Sequence, residues 1–397
     1  PKPQLTKHSG RVHVEKVETF QPGSEGNRLL GSPLKFRRYG ECGMQMARSV
    51  PCIGSVADNL CLIRSAWNYH NNHTESLLSL NTGKIFQGRP ALGSWVSYAL
   101  GTENQNLPSF ITICPNIGGG ASQNYSSAFL PTAHHGTPLG TAQMDNVAEA
   151  QFAFLDNPKI SRSFQRQQLE LLQKWQRSQL EQAGPNQSLE GRIKSFELAF
   201  RMQTEAPSVV DISSESQATR KLYGLDDKPT RNFGLRCLLA RRFIERGVRF
   251  VQVTHGENNK WDHHENLQKD LPISCREIDK PVAGLIKDLK ARGLLDETLV
   301  YWTGDFGRTP KINKNAGRDH WPPCQTVVLA GGGVQGGTVI GASDKTGAYP
   351  LSDPHLPDDI TATVFHALGL DPKIEIRDQL ERPMPISDGT PIHGLFG

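Results

Sequence analysis

The sequence predicts an α/β fold: a central, mostly parallel sheet with helices on both faces, plus a helical hairpin insertion. Three observations carry this. Short β-branched or apolar runs such as PSFITICP (108–115), VRFVQVTH (248–255) and TVVLAGGG (326–333) are bounded by Pro, Gly or polar residues, as buried strands are. Amphipathic stretches lead straight into strands: RNFGLRCLLARRFIERG (231–247) into VRFVQVTH, and CREIDKPVAGLIKDLKARGL (275–294) into TLVYWTGDFG (298–307). Between them, residues 160–204 change to long, polar, helix-period sequence.

In chain order, residues 1–50 are polar, punctuated by Gly and Pro, and expected to be irregular. A short helix precedes CLIRSAW (61–67), which is apolar enough for a buried strand. HTESLLSLNTG (73–83) has helical apolar spacing and stops on Gly83; SWVSYALG (94–101) likewise ends on glycine. PNIGGGASQNYSSAFLPTAHHGTPLG (115–140) is glycine-rich without the spacing of a phosphate-cradling fingerprint, and reads as a loop lining a cleft. RSFQRQQLELLQKWQRSQLEQAG and SLEGRIKSFELAFRMQTEA are two helices joined at a PNQ turn, with Leu169, Leu171, Leu172, Trp175 and Leu180 as the apolar stripe of the first. DDITATVFHALGL (358–370) is a late helix. One domain over 1–397, with the hairpin at 160–204 inserted in it, accounts for the pattern.

Composition narrows the function. The 44 basic and 40 acidic residues are interspersed, and the net charge of +4 comes with no Lys/Arg block, which argues against a nucleic-acid partner. No apolar run is long enough for a membrane span. Seven cysteines at irregular spacing form no CxxC pair and read as mostly buried free thiols. The chain starts at Pro1, and its first residues read like the middle of a protein, so a truncated N-terminus is expected.

The chemistry-bearing residues fall in three polar clusters next to strands. HGENNKWDHHENL (255–267) offers His255, Asp262, His263 and His264; TGDFGRTP (303–310) offers Asp305; GRDHWPP (317–323) offers Asp319 and His320. Ligands of parallel sheets bind beyond the carboxyl ends of strands, which places these clusters at one edge. Imidazole with carboxylate suits Zn²⁺ and related divalent ions. Each cluster has a plainer reading: a solvated loop, a turn cap at Asp305, a packed surface histidine at His320. Arg308 and Arg318 flank the clusters and suit either recognition of a tetrahedral oxyanion or a structural ion pair; Lys311 and Lys314 are expected to face solvent.

The segments NHTESLLSLNTGKIFQGRPALGSWVSYALGTENQNLP, WDHHENL, GDFGRTP and GRDHWP, in this order, resemble the bacterial domain-of-unknown-function 1501 family, and the resemblance runs to ISDGTPIHGLF at the C-terminus. That family belongs to the alkaline phosphatase and sulfatase superfamily. The resemblance implies an alkaline-phosphatase-like fold and a hydrolase of phosphate or sulfate esters. It implies one or two divalent ions (Zn, Ca or Mn) and a small-molecule or glycan ester as substrate. Many members carry twin-arginine signals, so a periplasmic or extracellular location is implied.

The resemblance also suggests residue roles. Asp262 and His264 look like the superfamily's Asp-then-His metal pair, at a spacing of two where the phosphatases have four; Asn266 holds the four-spaced position. His320 looks like the last histidine of that site. Asp305 stands for the carboxylate near a second ion, but Phe306 follows it where a ligand is expected. The superfamily's nucleophile lies about ten residues before a Thr-Gly; counting back from Thr82-Gly83 lands on His73, with Thr74 beside it. His73 is then a metal ligand or a nucleophile, and Thr74 an alternative nucleophile. There is no Cys-x-Pro-x-Arg signature, which disfavours formylglycine chemistry. The family's upstream Gly-Gly-Pro-Ser segment implies a first strand and a further ligand before Pro1. The alternative to an enzyme is an exported binding or assembly protein that keeps the fold and one structural metal.

Overall fold

The computed structural model describes residues 1–12, 26–144, 146–184, 186–256, 260–378 and 380–397. The elements that matter here are β1 (Leu60–Ala66), α1 (His73–Thr82), α2 (Leu92–Leu100), β2 (Phe110–Ile113), β3 (Thr137–Leu139), α3 (Arg162–Ala183), α4 (Gln187–Val210), α5 (Lys228–Glu245), β4 (Phe250–Val253), α6 (Leu267–Ala291), β5 (Val300–Trp302), β6 (Gln325–Ala330), β7 (Thr338–Ile340) and α7 (Pro357–Ala367). The chain is α/β, with most of the expected strands and helices in place. Residues 1–50 are more ordered than expected: a short helix at Pro3–Lys7 and an antiparallel hairpin pairing Phe36–Tyr39 with Met44–Ala47 lie within them.

The sheet differs from the expectation of a single, mostly parallel one. Among the described residues there is a three-stranded parallel sheet in the order β3-β2-β4, and a four-stranded sheet in the order β7-β1-β6-β5. In the second, only β7 and β1 are parallel; β6 runs antiparallel to both β1 and β5. The physical reason is the connection. No helix is assigned between β5 and β6, only short strands and turns, so the chain turns back instead of making the crossover that a parallel neighbour requires.

Both sheets are covered on two faces. Leu235, Leu238, Leu239 and Phe243 of α5 pack on Ile111, Ile113 and Leu139. On the other face α2 approaches so closely that a Cβ at Gly93 would lie 2.6 Å from the Phe250 ring, so only glycine fits. Alternation along β1 sends Leu60 toward α6 (Ile278, Val282, Ala283, Ile286, Leu289) and Cys61 and Ile63 toward Ile360 of α7.

The helical hairpin of α3 and α4 forms, each helix capped by a side chain: Ser161 accepts from the Phe164 amide, and Asn186 from that of Leu189. Its buried face is not the stripe expected from the leucines. Leu169 is buried, but Leu171 and Trp175 are 71% and 61% exposed, while Gln173 and Gln176 are 7% and 3% exposed. Gln173 donates to Glu197 of α4. The helices therefore meet partly through amides, and an apolar count cannot find such a seam. The seven cysteines are all free, four of them buried.

Two outcomes follow. Ile286→Ala removes a buried side chain between α6 and the sheet and is expected to cost about 2–5 kcal/mol in urea unfolding, whereas Trp175→Ala is expected to shift stability by less than about 0.5 kcal/mol. Burial alone would raise the Glu215 carboxyl, but hydrogen bonds and charge from Arg242 and Arg241 outweigh it and hold it below the usual range. Its folded value lies below its unfolded one, so its contribution is present above about pH 4.3 and fades as the pH falls. Glu215→Gln is expected to flatten the acid limb of a stability-against-pH curve, and an unchanged limb would refute this.

Candidate functional site

The cluster forms where β1 and β5 end and β6 begins. Because β1 and β5 run the same way and β6 runs against them, residues after the first two and before the third share one edge. In an all-parallel sheet the segment preceding a strand lies at the opposite edge. The reversal of β6 is thus what brings residues 317–324 beside residues 303–308. There His320 and Trp321 pair antiparallel with Arg308 and Gly307.

Asp262 stands at the centre. Its Oδ1 lies 3.0 Å from His264 Nε2 and 3.0 Å from His320 Nε2, and its Oδ2 lies 3.2 Å from His73 Nε2. His264 Nε2 and His320 Nε2 are 2.9 Å apart. Arg308 donates to Asp262 Oδ1. His73 occupies the first turn of α1, where Asn72 caps the helix by accepting from the Thr74 amide at 2.9 Å. Phe306 stacks on the His73 ring and tilts against that of His320, with centroids 5.0 and 4.5 Å away.

Each ring is held at its far nitrogen by an oxygen. His73 Nδ1 meets Asp305, His264 Nδ1 lies 3.0 Å from Asp319 Oδ1, and His320 Nδ1 lies 2.6 Å from the Asn71 carbonyl. Such oxygens only accept, so the far nitrogens carry the protons and the near ones, in neutral rings, present lone pairs to the Asp262 carboxylate. Lone pairs facing a carboxylate repel unless a cation sits among them. In addition, three carboxylates (Asp262, Asp305, Asp319) face one guanidinium, a formal excess of two negative charges.

These groups fit a divalent ion. His73, Asp262 and His320 each offer one ligand atom within 4.8 Å of the others. Tetrahedral bonds of ~2.0–2.1 Å put neighbouring ligand atoms ~3.3 Å apart, close to the spacings above. Oxygens on the outer nitrogens are what orients metal-binding histidines. Hydrogen bonds to the Asp262 and Asp305 carboxylates push the His73 imidazole up to about 9. Burial alone would raise Asp262, but the His320 and His73 imidazoles in their protonated form and the Arg308 guanidinium hold it far below the usual carboxylate range.

The other expected site residues lie apart. Arg318 donates to the Thr309 and Leu30 carbonyls, and burial lowers it to about 10; it fastens loops instead of facing the cluster. Thr74 enters through its backbone, and among the described residues no polar contact of its hydroxyl joins the cluster. His263 lies 3.3 Å from Ser274 Oγ, and His255 accepts from Trp261 Nε1 and reaches Glu277. Both are lowered by burial. Thus HGENNKWDHHENL divides: Asp262 and His264 enter the cluster, and His255 and His263 do not. Residues 257–259 of that stretch lie outside the described residues. Asn266 stands at the N-terminus of α6 with a left-handed φ of 49°. Lys311 is buried, contrary to expectation. Asn71 and Asn313 were missed; the first acts through a backbone carbonyl, which leaves no trace in side-chain chemistry.

The DUF1501 profile, described as a protein of unknown function, matches residues 1–396. The chain belongs to the DUF1501 family. No curated protein matches it. Among solved structures, it is similar to Ps i-CgsB, crystallised with k-i-k-neocarrahexaose, at 13% identity and a TM-score of 0.40, covering 86% of this chain and 69% of that one. It is also similar to the PsFucS1 sulfatase of Pseudoalteromonas sp. (12% identity, TM-score 0.37, 81% and 62% covered). A third is the phosphonate monoester hydrolase SpPMH of Silicibacter pomeroyi (10%, 0.35, 87% and 71%). Likenesses this weak carry no argument about this DUF1501 chain, and what it does rests on its own residues. No described helix is long and apolar enough to cross a membrane.

One backbone contact is decisive for the geometry. A Cβ at Gly317 would lie 1.9 Å from the His264 carbonyl carbon. Gly317→Ala must push the His264 segment off the 313–319 loop and is expected to cost at least about 1–3 kcal/mol in thermal or urea unfolding. Wild-type stability in that variant would show that the two segments are not in contact.

Proposed function

We propose that this protein is a metal-dependent hydrolase of phosphate or sulfate esters, of the alkaline phosphatase and sulfatase type. What supports the reading is one observation: three imidazoles, each fixed at its outer nitrogen by an oxygen, converge on the half-buried carboxylate of Asp262. Asp262, His264, His320 and His73 would hold a divalent ion, and the imidazole-rich set favours Zn²⁺ over Ca²⁺. When bound, such an ion polarises an ester oxygen and activates water.

The chain's own residues then have defined tasks. Arg308 fixes the Asp262 carboxylate by donating to Oδ1 and lies over the Phe306 ring. Asp305 keeps the His73 ring in the tautomer that turns Nε2 inward, so His73 serves here as a ligand and not as a nucleophile. Phe306, in place of a second polar ligand, shields one side of both His73 and His320 from water. The substrate class is a small-molecule or glycan ester, and export to the periplasm or beyond belongs to the same proposal.

A second reading, a non-catalytic binding or assembly protein with a structural ion, has support from Arg318 and Thr74. The first is spent on carbonyls, and the second has no polar contact with the cluster among the described residues. Elemental analysis of wild type beside Asp262→Ala, with turnover of p-nitrophenyl phosphate and sulfate, separates the readings. A stoichiometric ion and ester hydrolysis, both lost in the variant, are expected. An ion without turnover would favour the binding protein. No ion in either protein would sink the hydrolase.

A further inference from the structure

Asn313 lies outside the ligand set, in the loop between β5 and β6, yet every hydrogen-bonding capacity of its side chain is spent on one task. Its Nδ2 donates to Asp319 Oδ1 at 2.8 Å and to the His264 carbonyl at 2.9 Å. Its Oδ1 accepts from the amides of Asn315 at 3.0 Å and Gly317 at 2.9 Å. Two donor hydrogens and two lone pairs are all that a carboxamide has. The partners also fix which end is which: a carboxylate and a carbonyl can only accept, and two backbone amides can only donate.

Three of the four bonds brace the 313–319 loop itself, and the fourth ties it to the His264 segment. Around them the backbone is closed by Arg318 N on His263 O (3.0 Å), Asn266 N on Asn315 O (3.1 Å) and Leu267 N on Ala316 O (3.0 Å). The same amide group grips His264 twice, once at its carbonyl and once through the carboxylate that takes its Nδ1. Asp319, 4% exposed, has its backbone held by Thr309: its amide donates to Thr309 Oγ1 at 3.1 Å, and its carbonyl accepts from the Thr309 amide at 2.9 Å. Without Asn313, Oδ1 of Asp319 would keep only the imidazole to fix its direction, and the ring's rotation about its side-chain bonds would be correspondingly freer.

We infer that Asn313 is a positioning residue: through Asp319 it sets the orientation of the His264 imidazole toward Asp262, and so sets the metal affinity of the site. No other side chain reproduces the pattern. Aspartate has the shape but no donors, and it would place a second carboxylate against Asp319; serine is too short to span both segments. The inference rests on the metal reading above.

The test uses the full chain with Zn²⁺ or Co²⁺ alone as probe. Zn²⁺ affinity is measured by competition with a chelator for wild type, Asn313→Ser, Asn313→Asp and Leu289→Ala, the last a destabilising change in the core under α6, remote from the loop. Removing such outer partners typically weakens metal affinity 10–100-fold, and that is the loss expected for Asn313→Ser, with a larger one for Asn313→Asp. Leu289→Ala is expected to lower the melting temperature and leave affinity unchanged. At saturating Co²⁺ the visible absorption bands of Asn313→Ser are expected to move, because a turned imidazole changes the ligand field. If both Asn313 variants bind Zn²⁺ as wild type does and only melt earlier, Asn313 is merely structural and the inference is overturned. If wild type itself binds neither ion, the metal reading fails first and takes this one with it.

Discussion

The site turns on the placement of one carboxylate, Asp262, in a half-buried position where four nitrogen-bearing side chains face it. A carboxylate drawn away from water is costly unless its lone pairs are met, and here groups from four segments of the chain converge on it, the Arg308 guanidinium directly and three imidazoles through a shared proton or cation. His73 comes from the start of α1, His264 from the loop before α6, Arg308 from the turn after β5, and His320 from the approach to β6. The Arg308 guanidinium offsets part of the desolvation cost of Asp262 directly, and the rest of the site depends on the edge bringing all four segments together. The outer oxygens extend the same logic, since Asp305, Asp319 and the Asn71 carbonyl each answer an imidazole that would otherwise be loose.

Much of this was legible in the sequence. Amphipathic stretches and β-branched runs located α1, α2, α5, α7 and strands β1, β2, β4, β5 and β6 to within a few residues, because burial against a sheet imposes those periods locally; β3, inside the stretch expected to be a loop, and β7 are three-residue edge strands too short to leave such a period. Asp262, His264, Asp305 and His320 could be gathered as a candidate group because each sits next to a strand end. The reversal of β6 was not legible. Strand direction depends on the connection before it, and the β5–β6 segment contains only short strands and turns whose pairing is a tertiary matter. On a parallel-sheet reading the segment from 317 falls at the correct edge for the wrong reason, since the antiparallel direction of β6 is what places it there.

The helical hairpin shows a second limit. Helical period was obvious between 160 and 204, but the buried side was not the apolar one. Gln173 and Gln176 are buried while Trp175 is exposed, and amide and ion-pair contacts of Gln173 and Arg166 with Glu197 join the two helices. A hydropathy pattern ranks faces by transfer energy and is blind to a polar side chain such as Gln173 that finds a charged partner across the seam.

The two arginines bring the point to the site itself. Arg308 and Arg318 are the same residue type, each within two positions of a candidate ligand or its ring neighbour, and nothing in composition separates them. Register does. Arg308 is directly opposite His320 in an antiparallel pair, and directly opposed residues point to the same face with their Cβ atoms ~4.5–5.5 Å apart. Its guanidinium is therefore delivered to Asp262 along with the His320 ring. Arg318 precedes the start of that pairing, its backbone is bound to His263 instead, and its side chain turns away to the Thr309 and Leu30 carbonyls. Which of two equivalent cations enters a site is decided here by two residues of strand pairing, a contact too short to leave a periodic signal in the sequence.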